Sequence, residues 1–259
     1  MQIAALISTT CQAELRRVLW TGHSLVVVES PEALVTLVSD SGCELIIIDP
    51  TGMREKVFSD TLSAIVDSGV ALVIWARKSA ATFARILEAS VFVPTTVLLR
   101  GVNDDALGLQ AMVRSGGSTT ATAILLHRLA AQVLLLPQDS VVRRTAMFCG
   151  GPIPASVEAY TTGAGRTSRT VQRRFLEAGL GKPGRFLKIV RLARAWDLLQ
   201  TLTSSLAEVA AICGFASEKA LSAQFSLCVG APPRRAIRRL TQEAFVEHLL
   251  IAITDSELG

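Results

Sequence analysis

The sequence predicts a chain of two fold classes: an α/β domain with a doubly wound parallel sheet over residues 1–115, and an all-α domain over residues 151–240. In the first part, five short apolar runs alternate with segments whose apolar residues recur at helical spacing. In the second part, helix caps and helical spacing predominate. The charge also changes, because residues 1–140 hold 10 Lys and Arg against 13 Asp and Glu, whereas residues 141–240 hold 16 against 5.

The apolar runs of the first part are predicted to be strands of one parallel sheet. They are IAALI, SLVVV, ELIII, ALVIW and TTVLL, which are β-branched or leucine-rich and apolar on both faces. The helical segments between and after them complete a (βα)5 series. The loop after the first run, STTCQ, contains no glycine, which argues against the glycine-rich phosphate loop of a nucleotide-binding enzyme.

Several kinds of site have little support in the composition. The cysteines are odd in number and lack CxxC spacing, which favours reduced thiols in a cytoplasm over a zinc site or a disulfide framework. The apolar stretch 121–137 carries His127 and Arg128 at its centre, so it predicts a buried or amphipathic helix and no membrane span. The N-terminus lacks the basic start and cleavage site of a secretory signal. We therefore expect a cytoplasmic protein without cofactor, metal or catalytic activity. The five cysteines are Cys11, Cys43, Cys149, Cys213 and Cys228.

The excess of positive charge in residues 141–240 predicts a polyanionic partner. Uncompensated charge at this density costs self-repulsion unless a polyanion neutralises it, and nucleic acid is the expected polyanion.

The segment CELIIIDPTGM places Asp49 at the end of the third predicted strand. In order and size, residues 1–115 resemble the receiver domain of bacterial response regulators, and the resemblance implies that Asp49 is the phosphoryl acceptor. Receivers carry paired carboxylates for Mg²⁺ after the first strand, Ser or Thr after the fourth and Lys-Pro after the fifth. The residues found at these places are Ser8, Thr9 and Thr10, then Trp75 and Ala76, then Arg100 and Gly101.

These departures weaken the prediction of phosphorylation. One carboxylate without partner carboxylates does not hold the hard cation that neutralises a transferring phosphoryl group. Asp49 is more simply interpreted as ending a strand before the turn DPTG. The domain is therefore predicted to be a pseudo-receiver that serves as a platform for contacts.

Residues 116–150 are predicted to be a helical linker. A Gly/Ser/Thr hinge leads into a leucine-rich helix over 119–136, and a second short helix follows Gln138. The first helix either packs on the receiver-like sheet or forms a dimer contact, and the sequence does not separate the two. Residues 241–259 are assigned to a C-terminal tail.

Residues 156–175 have the pattern of a helix-turn-helix unit. Ser156 and Thr167 are placed to cap two successive helices, and Gly163 and Gly165 to make a tight turn between them. Arg and Gln side chains form bidentate hydrogen bonds with base edges in the major groove. The outward positions of the second helix are Ser168, Arg169, Gln172 and Arg173.

A second copy of this pattern follows 50 residues later. Ser204 or Ser205 opens LAEVAAICGF, Gly214 turns the chain and Ser217 caps the next helix. The segment PGRFLKIVRLARAWDLL between the copies predicts a rigid helical spacer. Two reading helices one duplex turn apart, about 34 Å, enter the same side of DNA. The equivalent pairs are Thr167/Ser217, Val171/Leu221, Phe175/Phe225 and Pro183/Pro233.

The segments TSRTVQRRF, RLARAWDLL and LAEVAAICGFASEKALSAQF resemble the two-helix-turn-helix DNA-binding domain of the AraC family of bacterial transcription regulators, over about residues 153–240. The resemblance implies two recognition helices in successive major-groove segments, action at promoters and, in many members, a homodimer. This sequence differs from the family pattern at Arg166, a turn position that is usually apolar, and at Ala223, where a polar residue is frequent. Glu218 faces outward, where it would repel phosphate.

The first copy is expected to carry most of the sequence readout and the second to set register, because the second has lost most of its positive charge. The expected DNA-binding residues are Ser168, Arg169, Gln172, Arg173 and Arg174 in the first copy, and Glu218, Lys219 and Ser222 in the second. Phosphate contacts are expected from Arg174, Arg185, Lys188, Arg234 and Arg235.

Three functions remain open at this stage. The first is a transcription regulator whose receiver-like domain receives an input from a partner protein. The second is a response regulator phosphorylated on Asp49. The third is an interaction module that has lost DNA binding and acts by dimerising with a competent relative.

Overall fold

The chain forms two compact units in a computed structural model, Met1–Thr119 and Thr120–Gly259. None of the described helices is both long and apolar enough to span a membrane. The described residues are 1–19, 23–40, 42–77, 79–100, 109, 113, 119–134, 156–201 and 205–254.

The first unit contains a five-stranded parallel sheet with the strand order β2-β1-β3-β4-β5. This confirms the predicted doubly wound (βα)5 sheet, and each of the five apolar runs overlaps a strand. The central strand β3 is fully buried, as two apolar faces require. The strands are β1 (Gln2–Leu6), β2 (Ser24–Val27), β3 (Leu45–Ile48), β4 (Ala71–Arg77) and β5 (Thr95–Arg100).

Four described helices connect these strands. Ser79 caps the fourth, because its Oγ accepts a hydrogen bond from the Thr82 N–H at 3.0 Å. Most of the fifth predicted helix, over 104–115, lies outside the described residues, but Leu109 and Val113 are buried in the same apolar cluster as Trp75. The helices are α1 (Thr9–Val18), α2 (Pro31–Asp40), α3 (Glu55–Ser68) and α4 (Ala80–Phe92).

The described part of the second unit is helical, which confirms the predicted all-α class. The predicted spacer is one helix, α8. The short helix predicted after Gln138 lies outside the described residues. The helices are α5 (Ala121–Leu134), α6 (Val157–Ala164), α7 (Ser168–Glu177), α8 (Pro183–Thr201), α9 (Leu206–Ile212), α10 (Glu218–Val229), α11 (Pro233–Arg239) and α12 (Gln242–Thr254).

Helix α5, which the sequence left between a sheet contact and a dimer contact, packs on α8 and α12 inside the second unit. The Asp197 carboxylate of α8 accepts hydrogen bonds from the Ala121 N–H at 2.6 Å and the Thr122 N–H at 3.0 Å. It also accepts one from the Thr122 hydroxyl. Asp197 thus binds the first N–H groups of α5, which have no partner within the helix.

Residues 242–254, assigned to a tail by the sequence analysis, form helix α12 with a buried apolar face. The Phe245 ring stacks on Trp196 at 4.0 Å and on Phe225 at 5.7 Å between ring centres. The Ile253 carbonyl oxygen packs against Gly181. A Cβ atom at position 181 would lie only 2.6 Å from this oxygen and would clash with it. Helix α12 therefore contacts the spacer, the second helix-turn-helix and the turn that follows α7.

Candidate nucleic-acid interface

The first helix-turn-helix consists of α6 and α7. Ser156 and Thr167 cap them as predicted, since the Ala159 and Thr170 N–H groups donate to their hydroxyl oxygens at 3.1 and 3.3 Å. Only Gly165 makes the turn, with φ 62°, whereas Gly163 lies within α6. The prediction that both glycines turn the chain is therefore wrong for Gly163, because α6 continues one residue beyond it.

An aromatic cluster fixes α7 to the rest of the unit. Val171 and Phe175 are fully buried, as their four-residue spacing predicts. The Phe175 ring meets Tyr160 at 6.0 Å and Phe186 of α8 at 5.5 Å between ring centres, both edge to face. This packing leaves the opposite side of α7 in solvent.

The expected reading residues of the first copy lie on that solvent side. Ser168, Arg169, Gln172 and Arg173 are all exposed. Arg174 is half-buried, with 31% of its side chain exposed.

Glu177 holds both arginines at the end of α7. Its carboxylate lies 3.6 Å from the Arg173 guanidinium and 3.2 Å from that of Arg174. Sequence reasoning missed this residue, although its spacing of four and three residues from the arginines is the usual one for helical ion pairs. The pairing holds the guanidinium of Arg173 on the surface that it would present to DNA.

The second helix-turn-helix consists of α9 and α10. Ser205 and Glu208 form a reciprocal cap, in which the Glu208 N–H donates to Ser205 Oγ and the Ser205 N–H donates to the Glu208 carboxylate. The Ser205 backbone and side-chain donors lower the pKa of Glu208. Ser217 caps α10 by accepting from the Ala220 N–H at 3.1 Å. Ser204, the alternative cap, lies outside the described residues.

The two turns differ by one residue. Gly165 and Gly214 both have positive φ, and they are 49 residues apart, whereas the caps Thr167 and Ser217 are 50 apart. Phe215 follows the second glycine and is partly buried, while the residue after the first glycine, Arg166, is exposed. Arg166, which differs from the usually apolar turn residue of the family pattern, thus has its side chain in solvent.

Arg191 of the spacer braces the second turn. Its guanidinium donates to the Gly214 carbonyl at 3.5 Å, and burial lowers its pKa. Next to it, burial raises the pKa of the Cys213 thiol to about 12, so this cysteine stays protonated. Arg191 was not among the predicted residues, because only the folded spacer brings it to a turn more than twenty residues away.

The reading face of α10 carries little charge. Glu218 and Lys219 are exposed and adjacent, Ser222 is partly buried, and Ala223 is exposed. Leu221 and Phe225 are fully buried, at positions equivalent to Val171 and Phe175 of α7. Helices α7 and α10 therefore have similar buried faces but differ in the chemistry of their exposed faces.

Four of the five residues expected to contact phosphate lie at the starts of two helices, whereas Arg174 lies in the last turn of α7. Arg185 and Lys188 belong to the first turns of α8, and both lie near the Cys228 thiol of α10. Burial raises the pKa of this thiol, while the two cations act in the opposite direction. Arg234 and Arg235 lie in the first turn of α11, exposed to solvent.

At the carboxyl edge of the sheet, Asp49 follows β3 and accepts a hydrogen bond from the Thr51 N–H at 3.0 Å. The Arg100 guanidinium forms an ion pair with Glu14 at 3.0 Å and lies 5.3 Å from the centre of the Trp75 ring. Within the described residues, no group of three or more His, Cys, Asp or Glu is placed to hold a metal ion.

Residues 160–239 match the family model described as a helix-turn-helix domain. The match supports an AraC-type DNA-binding domain in this segment. The matched range begins within α6 and ends at the last residue of α11, so α5 and α12 lie outside it. The match supports a DNA-binding transcription regulator. No curated protein and no solved structure matches the chain.

Proposed function

We propose that the chain is a sequence-specific transcription regulator of double-stranded DNA with no catalytic activity, acting in the cytoplasm. One observation carries this proposal above the others. Two capped helices, α7 and α10, bury equivalent residues 50 positions apart, and α7 exposes Arg169, Gln172 and Arg173 on its opposite side. These side-chain types read base edges in the major groove.

The two helix-turn-helix copies contribute differently to DNA binding. Helix α7 reads the base sequence through Ser168, Arg169, Gln172 and Arg173, while Arg174 contacts the phosphate backbone of the DNA. Helix α10 sets register through its N-terminal turn, with Glu218, Lys219 and Ser222 contributing few base contacts.

The first unit acts as a pseudo-receiver and takes its input from a partner protein or from a second copy of the chain. Its parallel strand order agrees with a receiver-like sheet. The Arg100–Glu14 ion pair and the buried Trp75 occupy places where receivers keep the groups that handle phosphate. These contacts favour a surface for binding over a site for phosphoryl transfer.

Selection from random duplex DNA with the purified full chain tests the proposal. We expect enrichment of one motif whose strongly selected bases span the site of α7, with weaker selection one helical turn away. Recovery of unselected sequences, together with no duplex binding at low salt, would instead favour the interaction module that acts by dimerising.

A further inference from the structure

A strongly basic surface of the second unit lies outside both reading helices. Helix α11 carries four exposed arginines in two turns, while Pro233 and Ala236 hold its other side in the core. None of the ion pairs among the described residues involves these arginines. They line one groove together with Pro232. The four are Arg234, Arg235, Arg238 and Arg239.

The internal repeat extends into this helix. Pro183 begins α8 and Pro233 begins α11, and cations stand at the equivalent pairs Arg185/Arg235 and Lys188/Arg238. Each reading helix is therefore followed by a helix that starts with proline and carries two cations three residues apart at equivalent positions. Within the first seven residues, α8 has only these two cations, whereas α11 has two more, Arg234 and Arg239.

The additional positive charge of α11 follows the reading helix that has no net charge of its own, α10. Helix α10 carries one Glu and one Lys and has no net charge, whereas α7 carries three Arg against one Glu. Helix α10 has 12 residues, so it is about 18 Å long, longer than the major groove is wide, about 12 Å. A helix that enters the groove by its N-terminal half thus brings its far end, and the start of α11, to the next row of phosphates.

We propose that the arginine face of α11 is a sequence-independent clamp on the DNA backbone beyond the second reading helix. The clamp rests on the proposed function and adds to it residues Arg238 and Arg239 and a segment of flanking duplex. A guanidinium group binds two phosphate oxygens through two parallel hydrogen bonds, whereas a lysine ammonium acts as a point charge. A face made only of arginines is therefore well suited to binding phosphate. An acidic protein segment is the other polyanion that this face would accept.

The test compares the full chain with Arg238→Ala/Arg239→Ala and with a matched control, Arg16→Ala/Arg17→Ala. The control pair is exposed at the end of α1 in the first unit. We expect the clamp variant to lower the slope of log K against log salt by about 0.9 for each phosphate that is no longer neutralised, with the same selected motif. The control keeps the wild-type slope. The pair Arg238→Gln/Arg239→Gln, which retains side-chain length, should give the same result and guards against a folding defect.

Shortening the duplex supplies the second measurement. Removing base pairs that flank the site next to the second helix-turn-helix should weaken wild-type binding several-fold. It should weaken binding of the clamp variant less, because that variant keeps only Arg234 and Arg235 of the four arginines. Equal salt slopes and equal length dependence for wild type and variant overturn the clamp while leaving the proposed function intact, and would assign the face to an acidic protein. Failure of wild type and control alike to bind any duplex overturns the proposed function itself.

Discussion

We expect Arg173 to be a main contributor to sequence readout, because it is exposed on α7 and its guanidinium pairs with Glu177. An exposed ion pair of this kind is worth little to stability, so exchanging the carboxylate for a base edge costs little. The same carboxylate repels phosphate that approaches in a wrong register. We therefore expect Glu177 to affect selectivity through the two arginines it pairs.

Replacing Arg173 tests this role directly. Arg173→Ala should weaken binding to the selected site by about 1–3 kcal/mol and relax preference at one or two base positions, since the bidentate hydrogen bonds to a base edge are removed. Competition titrations with specific and mismatched duplexes measure both effects. Arg16→Ala, an exposed arginine of the first unit, is the control and should bind like wild type. Identical affinity of Arg173→Ala and wild type for the selected site would remove Arg173 from the reading residues.

At the scale of elements, α12 joins parts of the second unit that are distant in sequence. Phe245 lies between Trp196 of the spacer and Phe225 of α10, and it is fully buried. The ring therefore fixes α10 against α8 and, through it, the relation between the two reading helices.

Truncating this ring should loosen the unit. Phe245→Ala is expected to lower the free energy of unfolding by about 3–5 kcal/mol, the usual cost of removing a buried phenylalanine. Ile251→Ala on the same helix is the control, because that side chain is 58% exposed and should change stability little. Urea denaturation followed by tryptophan fluorescence measures the change. Trp196 reports on the second unit, and the other two tryptophans, which belong to residues 1–119, should give a transition that the substitution does not shift. Equal loss of stability for both variants would mean that α12 does not pack as described.

The junction of α5 and α8 gives the second unit a pH dependence. Burial raises the pKa of Asp197 to about 6, although the Thr122 hydroxyl and the backbone N–H groups of Thr122 and Ala121 act in the opposite direction. The folded state therefore holds a proton on this carboxyl at pH values where the unfolded chain, with a pKa near 3.8, has released it.

A raised carboxyl pKa contributes stability that is complete at low pH and is lost as pH rises through the folded value. The free energy of unfolding should thus fall by up to about 3 kcal/mol between about pH 4 and pH 6 from this group. Asp197→Asn should remove that fall, and Asp67→Asn, exposed on α3, should retain it. Urea titrations across this range measure the slope. The same pH profile for Asp197→Asn and wild type would show that Asp197 titrates normally.

At the scale of the whole molecule, we expect the acidic first part and the basic second part of the chain to have different roles. The receiver-like sheet keeps one carboxylate at the place of the acceptor, but Asp49 binds the Thr51 N–H and the neighbouring positions hold Ser8, Thr9 and Thr10. These hydroxyls replace the carboxylates that a Mg²⁺-dependent transfer requires.

Treatment of the full chain with a small phosphodonor and Mg²⁺ should therefore leave its intact mass unchanged. Asp49→Asn should bind the selected duplex with wild-type affinity before and after the treatment. A phosphoryl adduct that disappears in Asp49→Asn would support the response-regulator hypothesis and end the pseudo-receiver interpretation.

Features that depend on neighbours a few residues away could be predicted from the amino-acid order. The apolar runs on both faces predicted the strands, and Ser156, Thr167 and Ser217 predicted helix starts, because a cap binds an N–H only three residues along the chain. The repeat of 50 residues predicted the buried pairs Val171/Leu221 and Phe175/Phe225 for the same reason, since each follows from helical spacing.

Contacts between distant segments became known only from the folded chain. Asp197 binds Ala121 from 76 residues away, and Phe245 meets Trp196 across three intervening helices. Helix α12 has apolar residues at helical spacing, a signal that was present in the sequence, but what they pack against depends on the path of the whole chain. The packing partners of α5 and α12 follow from how far-separated faces bury each other, and no local spacing encodes that choice.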